Sequence, residues 1–248
     1  MTDMNVDVNK LPNSIKDQFN SNILEYISIS TITINCKFGS DLTIDKDIYK
    51  LLNNKMFFLP KSKFNDAGEE INIMLENDKV VNIKLYTTGK MLLAGCQSFN
   101  EIETTLSLLI KNIKHYIPNK IANIDNFNLS TINNFVINLI NVGFETNMSI
   151  DRFKLHTLLN DKQIKNDFDS TRYHGVKIQI DHENDKENNL ICVFQTGKIL
   201  MQKNKSFKEV EYCFKFIVEI LTENYNKIVK LSLNDYMDED VENIIKSK

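Results

Sequence analysis

The sequence predicts an α+β fold made of two tandem copies of one unit: a strand, a short helix, antiparallel strands and a long helix. Three kinds of observation carry this. The tripeptide Thr88–Lys90 returns as Thr196–Lys198, and Ser98–Glu103 returns as Ser206–Glu211, both at an offset of 108. Upstream, Glu76–Lys79 returns at Glu183–Lys186 and Leu51–Asn53 at Leu158–Asn160, each 107 on. Ile34-Asn35 returns at Ile140-Asn141, 106 on. Five matches in one order, with so little drift, describe an internal duplication. The copies occupy 23–118 and 133–228, joined by a linker at 119–132. An N-terminal extension (1–22) and an acidic C-terminal tail (229–248) flank them.

Each element has its own signal. Glu25–Phe38 is rich in Ile and Thr, as a strand requires. Its period-two alternation puts Ile27, Ile29, Thr31, Thr33 and Asn35 on one face, and Ser28, Ser30, Ile32, Ile34 and Cys36 on the other. Asp45–Asn54 reads as a short helix with Ile48, Leu51 and Leu52 at helical spacing. Glu70–Leu93 reads as a meander with turns at Glu76–Lys79 and Thr88-Gly89, where glycine accepts a positive φ. From Ser98, the residues Ile102, Leu106, Leu109, Ile110, Ile113 and Ile117 form an amphipathic stripe. Adding 108 gives Val210, Phe214, Ile217, Val218, Leu221 and Tyr225, all apolar or aromatic. Helices then cover one sheet face, and the other is left for solvent, a partner or the twin copy.

Composition narrows the function. The chain has 248 residues, 42% hydrophobic and 25% charged, within the range of globular domains. The formal net charge of −3 gives no bulk basic signal for nucleic acid. The acidic and basic residues of each copy nearly cancel. Cys36, Cys96, Cys192 and Cys213 are far apart and form no zinc-binding pair, and a reducing intracellular setting is expected. No apolar run reaches the ~20 residues that span a bilayer. The abundance of Asn, Ile and Lys points to an AT-rich genome.

Catalysis finds no support. The Thr-Gly-Lys turns lack the spacing of a phosphate-cradling loop. His115, His156, His174 and His182 form no metal-ligand pairing, and Glu69-Glu70 and Asp235–Glu239 read as surface charge. No cofactor, no small-molecule substrate and no membrane partner are expected.

The two hairpins, Leu85–Glu101 and Val193–Glu209, resemble those of the TATA-box-binding protein (TBP) family. That family's pattern is aromatic, any residue, Ser/Thr, Gly, Lys and two apolar residues, then an acidic helix start. Arg172–Ile180 is similar to the family's preceding strand, and Phe153–Asp161 to its short helix. The likeness covers nearly all of 27–228. It implies a saddle: pseudo-twofold halves forming one curved antiparallel sheet, helices on the convex face, and double-stranded AT-rich DNA in the concave one. The family works without catalysis, wedging aromatic rings between base steps of the minor groove.

Carried over position by position, the resemblance makes Phe194 and Tyr173 the wedges of the second copy. Tyr86 and Phe64 take those places in the first. Asn35 and Asn141 are candidates for the family's central Asn pair; a second register, aligning Cys36 with a family Cys, puts Ile27 there instead. Leu92 and Leu200 keep apolar groove positions, while the family Thr becomes Ala94 and Gln202. Lys84 and Cys192 replace apolar positions. Lys90 and Lys198 fall near expected phosphates. Glu183, Asp185, Lys186 and Glu187 lie in a loop that, in the family, meets transcription factor IIB; here it is acidic and longer. The resemblance implies a transcription initiation factor working with RNA polymerase machinery, in the nucleus, or in the viral factory or virion of a large DNA virus. The rival expectation is a protein-interaction module of the same fold that has lost its groove contacts.

Overall fold

The structure, a computed structural model, describes residues 10–19, 21–39, 69–75, 78–116, 124, 127–181 and 188–230. The short helix expected at Asp45–Asn54 and the end of the first stripe at Ile117 lie outside the described residues.

Two compact units emerge. The first takes in residues up to Glu25, Ile29–Asn141 and Asn204–Phe207; the second takes in Tyr26–Ser28, Val142–Lys203 and the rest of the chain from Lys208. In the first, α1 (Asn13–Lys16) leads to β1 (Ser28–Phe38), β2 (Glu69–Met74), β3 (Val80–Leu85), β4 (Lys90–Cys96) and α2 (Phe99–Tyr116). Its strands run in the order β2-β3-β4-β1, with antiparallel neighbours. β5 (Ile132–Glu145) starts in the first unit and ends in the second. There follow α3 (Arg152–Asp161), β6 (Asn166-Asp167), β7 (Val176–Ile180), β8 (Asn189–Val193), β9 (Lys198–Asn204), α4 (Phe207–Glu223) and α5 (Tyr225–Ile228). The second unit's order is β9-β8-β7-β6, again antiparallel. Strand, helix, antiparallel strands and long helix thus repeat as the sequence predicts, with the first copy's short helix undescribed.

Alternation builds the core. Ile32, Ile34, Cys36 and Phe38 of β1, Val81, Ile83 and Leu85 of β3, and Met91, Leu93 and Cys96 of β4 are buried, as are Ile102, Leu106, Leu109 and Ile113 of α2. In the second unit Val176, Ile178, Ile191, Val193, Ile199 and Met201 are buried, with Val210, Cys213 and Ile217 of α4. First-turn glutamates tie each long helix to its sheet. Glu101 accepts from Lys79 at 2.6 Å and from the Gln97 amide at 2.7 Å. Its counterpart Glu209, 108 residues on, accepts from the side chain of Asn189 at 3.2 Å. A carboxylate there also complements the helix dipole.

The second stripe needs a correction at its end. α4 stops at Glu223, and Tyr225 opens α5, 45% exposed, instead of extending the buried face. Asn224 ends the helix: its buried side-chain amide donates back to the Ile220 carbonyl at 2.9 Å, a local bond that competes with helix continuation.

The N-terminal extension joins the core. Leu11, Ile15 and Phe19 are buried. The Phe19 ring sits 5.5 Å from Phe99, 5.8 Å from Phe207 and 6.4 Å from Phe135. Phe99 and Phe207 are the same position of the two copies, so one aromatic from outside the repeat packs on both.

All four cysteines are free and buried. Burial pushes the thiols of Cys36, Cys96 and Cys213 up to about 12 from an ordinary 9.0. Folding therefore favours the neutral thiol. This contribution to stability is whole below pH 9.0 and fades as the pH climbs through about 12. At pH 8, a thiol-reactive chromophore is expected to label none of the four rapidly in the folded chain and all four in denaturant. Rapid labelling of Cys36 or Cys213 in the folded state would contradict this packing.

Candidate nucleic-acid interface

The alternation that fills each core turns the intervening side chains to the opposite face of the sheet. In the first unit Asn35 and Lys37 alternate with buried Ile34, Cys36 and Phe38. Asn35 pairs with Leu92, Lys37 with Lys90 and Thr33 with Ala94. Lys84 pairs with Leu92 and Asn82 with Ala94. These residues therefore share one open side, and Tyr86, whose N–H donates to the Lys90 carbonyl at 2.9 Å, continues it into the turn. The turn closes on Gly89, at φ 76°, whose N–H donates to the Tyr86 carbonyl. A cleft of about 590 Å³ opens here, lined by Asn35, Lys37, Tyr86, Thr88, Lys90 and Asn134 among others. Lys37 and Lys90 face each other across the strands, and such like-charged pairs are unfavourable without an anion nearby.

Asn141 lies between buried Ile140 and Val142, which gives it the open side of β5. Gly143, two residues on, opens the same way: a Cβ there would meet Leu200 Cδ2 at 3.0 Å. In the second unit the open side carries Lys177 and Gln179 of β7, Leu190 and Cys192 of β8, and Leu200 and Gln202 of β9, paired in register. Phe194 and Lys198 extend it beyond β8, joined by a Phe194 N–H to Lys198 carbonyl bond of 2.9 Å.

Tyr173 and Phe194 stand together on that side. Their ring centroids are 5.6 Å apart and the planes are inclined by 61°. Both rings are half-buried. Gly175 makes room for them, since a Cβ there would lie 2.9 Å from Tyr173 and 3.3 Å from Phe194. Two local devices fix the pair. Before Tyr173, the Asp169 carboxylate accepts from the Thr171 amide and hydroxyl and holds its own pKa below the usual range, while the Asp169 carbonyl accepts from the Tyr173 N–H. After it, Arg152 of α3 donates to the His174 carbonyl and to the Gln195 side chain, gripping the residue that follows each ring. Asp151 caps α3 by accepting from the amides of Phe153 and Lys154, which places Arg152 at the helix start.

Charge is sorted by face. The open sides hold Lys37, Lys84, Lys90, Lys177 and Lys198, against Asp167 and Glu145 among the described strand side chains. Lys177 Nζ lies 4.7 Å from the centre of the Tyr173 ring, and Lys84 Nζ lies 5.9 Å from that of Tyr86. The near-neutral balance of each copy conceals this, because the register of the strands decides which charges share a face. Lys37, Lys177 and Gly175 were not among the residues singled out from the sequence. Their signal was a period-two lysine in each strand and a glycine beside an aromatic. Phe64, Glu183, Asp185, Lys186 and Glu187 lie outside the described residues.

Among the described residues no group of three or more His, Cys, Asp or Glu is placed to hold a metal ion, and no helix is long and apolar enough to cross a membrane. No protein-family model matches the chain. A protein of Acanthamoeba polyphaga mimivirus named TATA-box-binding protein-like is 24% identical over 250 residues, covering 84% of this chain and 68% of the relative. The solved structure of Methanococcus jannaschii TBP superposes with a TM-score of 0.59 at 14% identity, over 80% of this chain and 99% of that one. The chain has the TBP fold and is similar to a TBP-like protein. The departures from the TBP pattern at Ala94 and Gln202 fall on the open side, and Cys192, on the same side by register, is buried.

Proposed function

We propose that this TBP-like chain is a transcription initiation factor that binds and bends AT-rich, TATA-like duplex DNA through the minor groove and recruits the transcription machinery. The observation that carries this is the Tyr173–Phe194 pair, standing on an open sheet side next to strand positions occupied by Leu200 and lysines. A non-DNA interaction module would bury those rings against helices. Where Leu92 and Leu200 meet the groove they offer the guanine amino group no acceptor, which favours A·T pairs at those positions. Paired wedges suit flexible TA steps, which kink at least cost. Asn35, Asn141, Leu92, Ala94 and Gln202 then meet base edges, and the lysines meet phosphates. Phe64 and Tyr86 serve as the first unit's wedges. Glu183, Asp185, Lys186 and Glu187 serve a partner resembling transcription factor IIB, alongside RNA polymerase. Chemistry beyond binding is not part of this role. The mimivirus relative favours a viral setting, with the factory or virion as the place of action and the nucleus as the alternative.

Fluorescence anisotropy on AT-rich and GC-rich duplexes across a salt series tests the proposal. The AT-rich duplex is expected to bind more tightly. If all five open-side lysines reach phosphates, log K should fall against log salt with a slope of about −4 to −5, at ~0.9 per contact. Binding that ignores salt, or that persists unchanged under a saturating AT-selective minor-groove ligand, would contradict it.

A further inference from the structure

The two copies differ where each Thr-Gly-Lys turn meets its neighbouring strand. In the first, the Phe38 N–H donates to the Gly89 carbonyl at 3.2 Å, Lys37 stands opposite Lys90, and Asn35 stands opposite Leu92. In the second, the Thr146 N–H donates to the Gly197 carbonyl at 3.0 Å, and a Cβ on Gly143 would lie 3.0 Å from Leu200 Cδ2. All four of these second-copy residues lie 108 after their counterparts Phe38, Gly89, Asn35 and Leu92. The same register therefore puts Glu145 opposite Lys198. The second pair is neutral overall. The first carries two positive charges, and among the described residues no carboxylate lines the cleft beside it.

The first pair also borders a hollow. Its cleft of about 590 Å³ is far larger than a bare phosphate needs and falls within the range of small-molecule sites. Beside the lysines it is lined by half-buried Tyr86 and by Thr88, Asn35 and Asn134, which supply an aromatic ring, a hydroxyl and two amides. Two cations suit a terminal phosphate, with about 1.5 to 2 negative charges, better than a singly charged backbone phosphodiester. We propose that this cleft binds a nucleoside phosphate, with its terminal phosphate between Lys37 and Lys90 and its base beside Tyr86. The site belongs to the first copy alone, because Glu145 repels a phosphate at the matching place in the second. A nucleotide held there also competes with duplex DNA for the same lysines. That competition rests on the DNA-binding reading; the nucleotide site does not.

Calorimetric titration of the full chain with ATP, adenosine and inorganic pyrophosphate tests the site without DNA. ATP should bind more tightly than the other two, because neither of them reaches both the lysines and the ring. Lys37→Met should weaken ATP binding by on the order of ten-fold or more, the contribution of one charged hydrogen bond, and Lys37→Arg should keep most of it. Glu145→Gln, in the second copy, should leave ATP binding unchanged. Lys37→Met should also keep or raise the melting temperature of the free chain, since it relieves the repulsion across the strands. Absence of ATP binding, ATP binding that survives Lys37→Met, or pyrophosphate binding as tight as that of ATP would overturn the proposal. So would a loss of ATP binding in Lys37→Met accompanied by a fall in melting temperature, which would make Lys37 a structural residue. In anisotropy on an AT-rich duplex, ATP should displace DNA from the parent chain more readily than from Lys37→Met. Duplex binding that depends on Lys37 in a chain that does not bind ATP would assign the lysines to backbone phosphates and overturn the nucleotide site. Failure of the parent chain to bind the duplex would defeat the DNA-binding reading, and the ATP titration would still decide the cleft.

Discussion

Replacing Tyr173 and Phe194 together by alanine is expected to lower affinity for an AT-rich duplex by on the order of 100-fold, about 2.7 kcal/mol, and to abolish most of the bend. Both rings lie on the open side, half-buried and in edge contact with each other, so removing them takes nothing from the buried cores. The far-ultraviolet circular dichroism and the melting temperature should therefore stay close to the parent's. This separates a wedge from a structural aromatic: a ring filling an ordinary core position would lower stability by several kcal/mol on truncation. Each single variant should fall short of the pair, because the remaining ring still enters one base step. Full affinity in the double variant, measured by anisotropy at low salt, would end the wedge assignment.

Gly197→Ala is the second large expected effect, and it acts through the backbone. Gly197 closes the turn after Phe194 at φ 83°, a conformation costly for any L side chain. A Cβ there would lie 2.5 Å from the carbonyl oxygens of both Thr146 and Met148. Backbone carbonyls cannot step aside as a flexible side chain does. The Thr146 N–H and hydroxyl also donate to the Gly197 carbonyl, at 3.0 and 3.1 Å, so relieving the clash breaks the contact between the turn and the end of β5. Strain and lost bonds together should cost roughly 2–4 kcal/mol, seen as a lower denaturant midpoint with an unchanged slope. DNA binding should weaken as well, because this turn sets Phe194 and Lys198. A midpoint equal to the parent's would mean that the turn can rearrange freely.

How much of this was legible beforehand depends on the range of the interaction. The Thr-Gly-Lys turns and the stripe Ile102–Ile113 are local patterns, and they stand where the sequence places them. Asn35, Leu92, Ala94, Leu200 and Gln202 were reached through the resemblance of the hairpins to the TBP family, and strand register puts them on the open sides. Three features were out of reach. The Phe19 cluster joins residues far apart in the chain, and no periodicity connects them. The gathering of lysines on the open sides depends on cross-strand register, which composition cannot express. The burial of Cys192, on the open side of β8, is not announced by the alternation of the strand. Tyr225 failed for a related reason: a stripe counts apolar residues and does not weigh a helix-ending asparagine.

The two units also differ in how much they explain. The second presents a complete aromatic pair on a braced turn. The first presents Tyr86 beside a cleft with opposed lysines. If both bind DNA, the second should dominate kinking and the first should contribute more through phosphate attraction, which salt weakens.

The most direct test of the central claim is the end-to-end distance of a short AT-rich duplex carrying a donor and an acceptor dye, measured by energy transfer at saturating protein. The ends are expected to approach on binding, a GC-rich duplex of equal length to show less change, and alanine at Tyr173 and Phe194 to remove the approach. A duplex that is bound yet stays straight would contradict it.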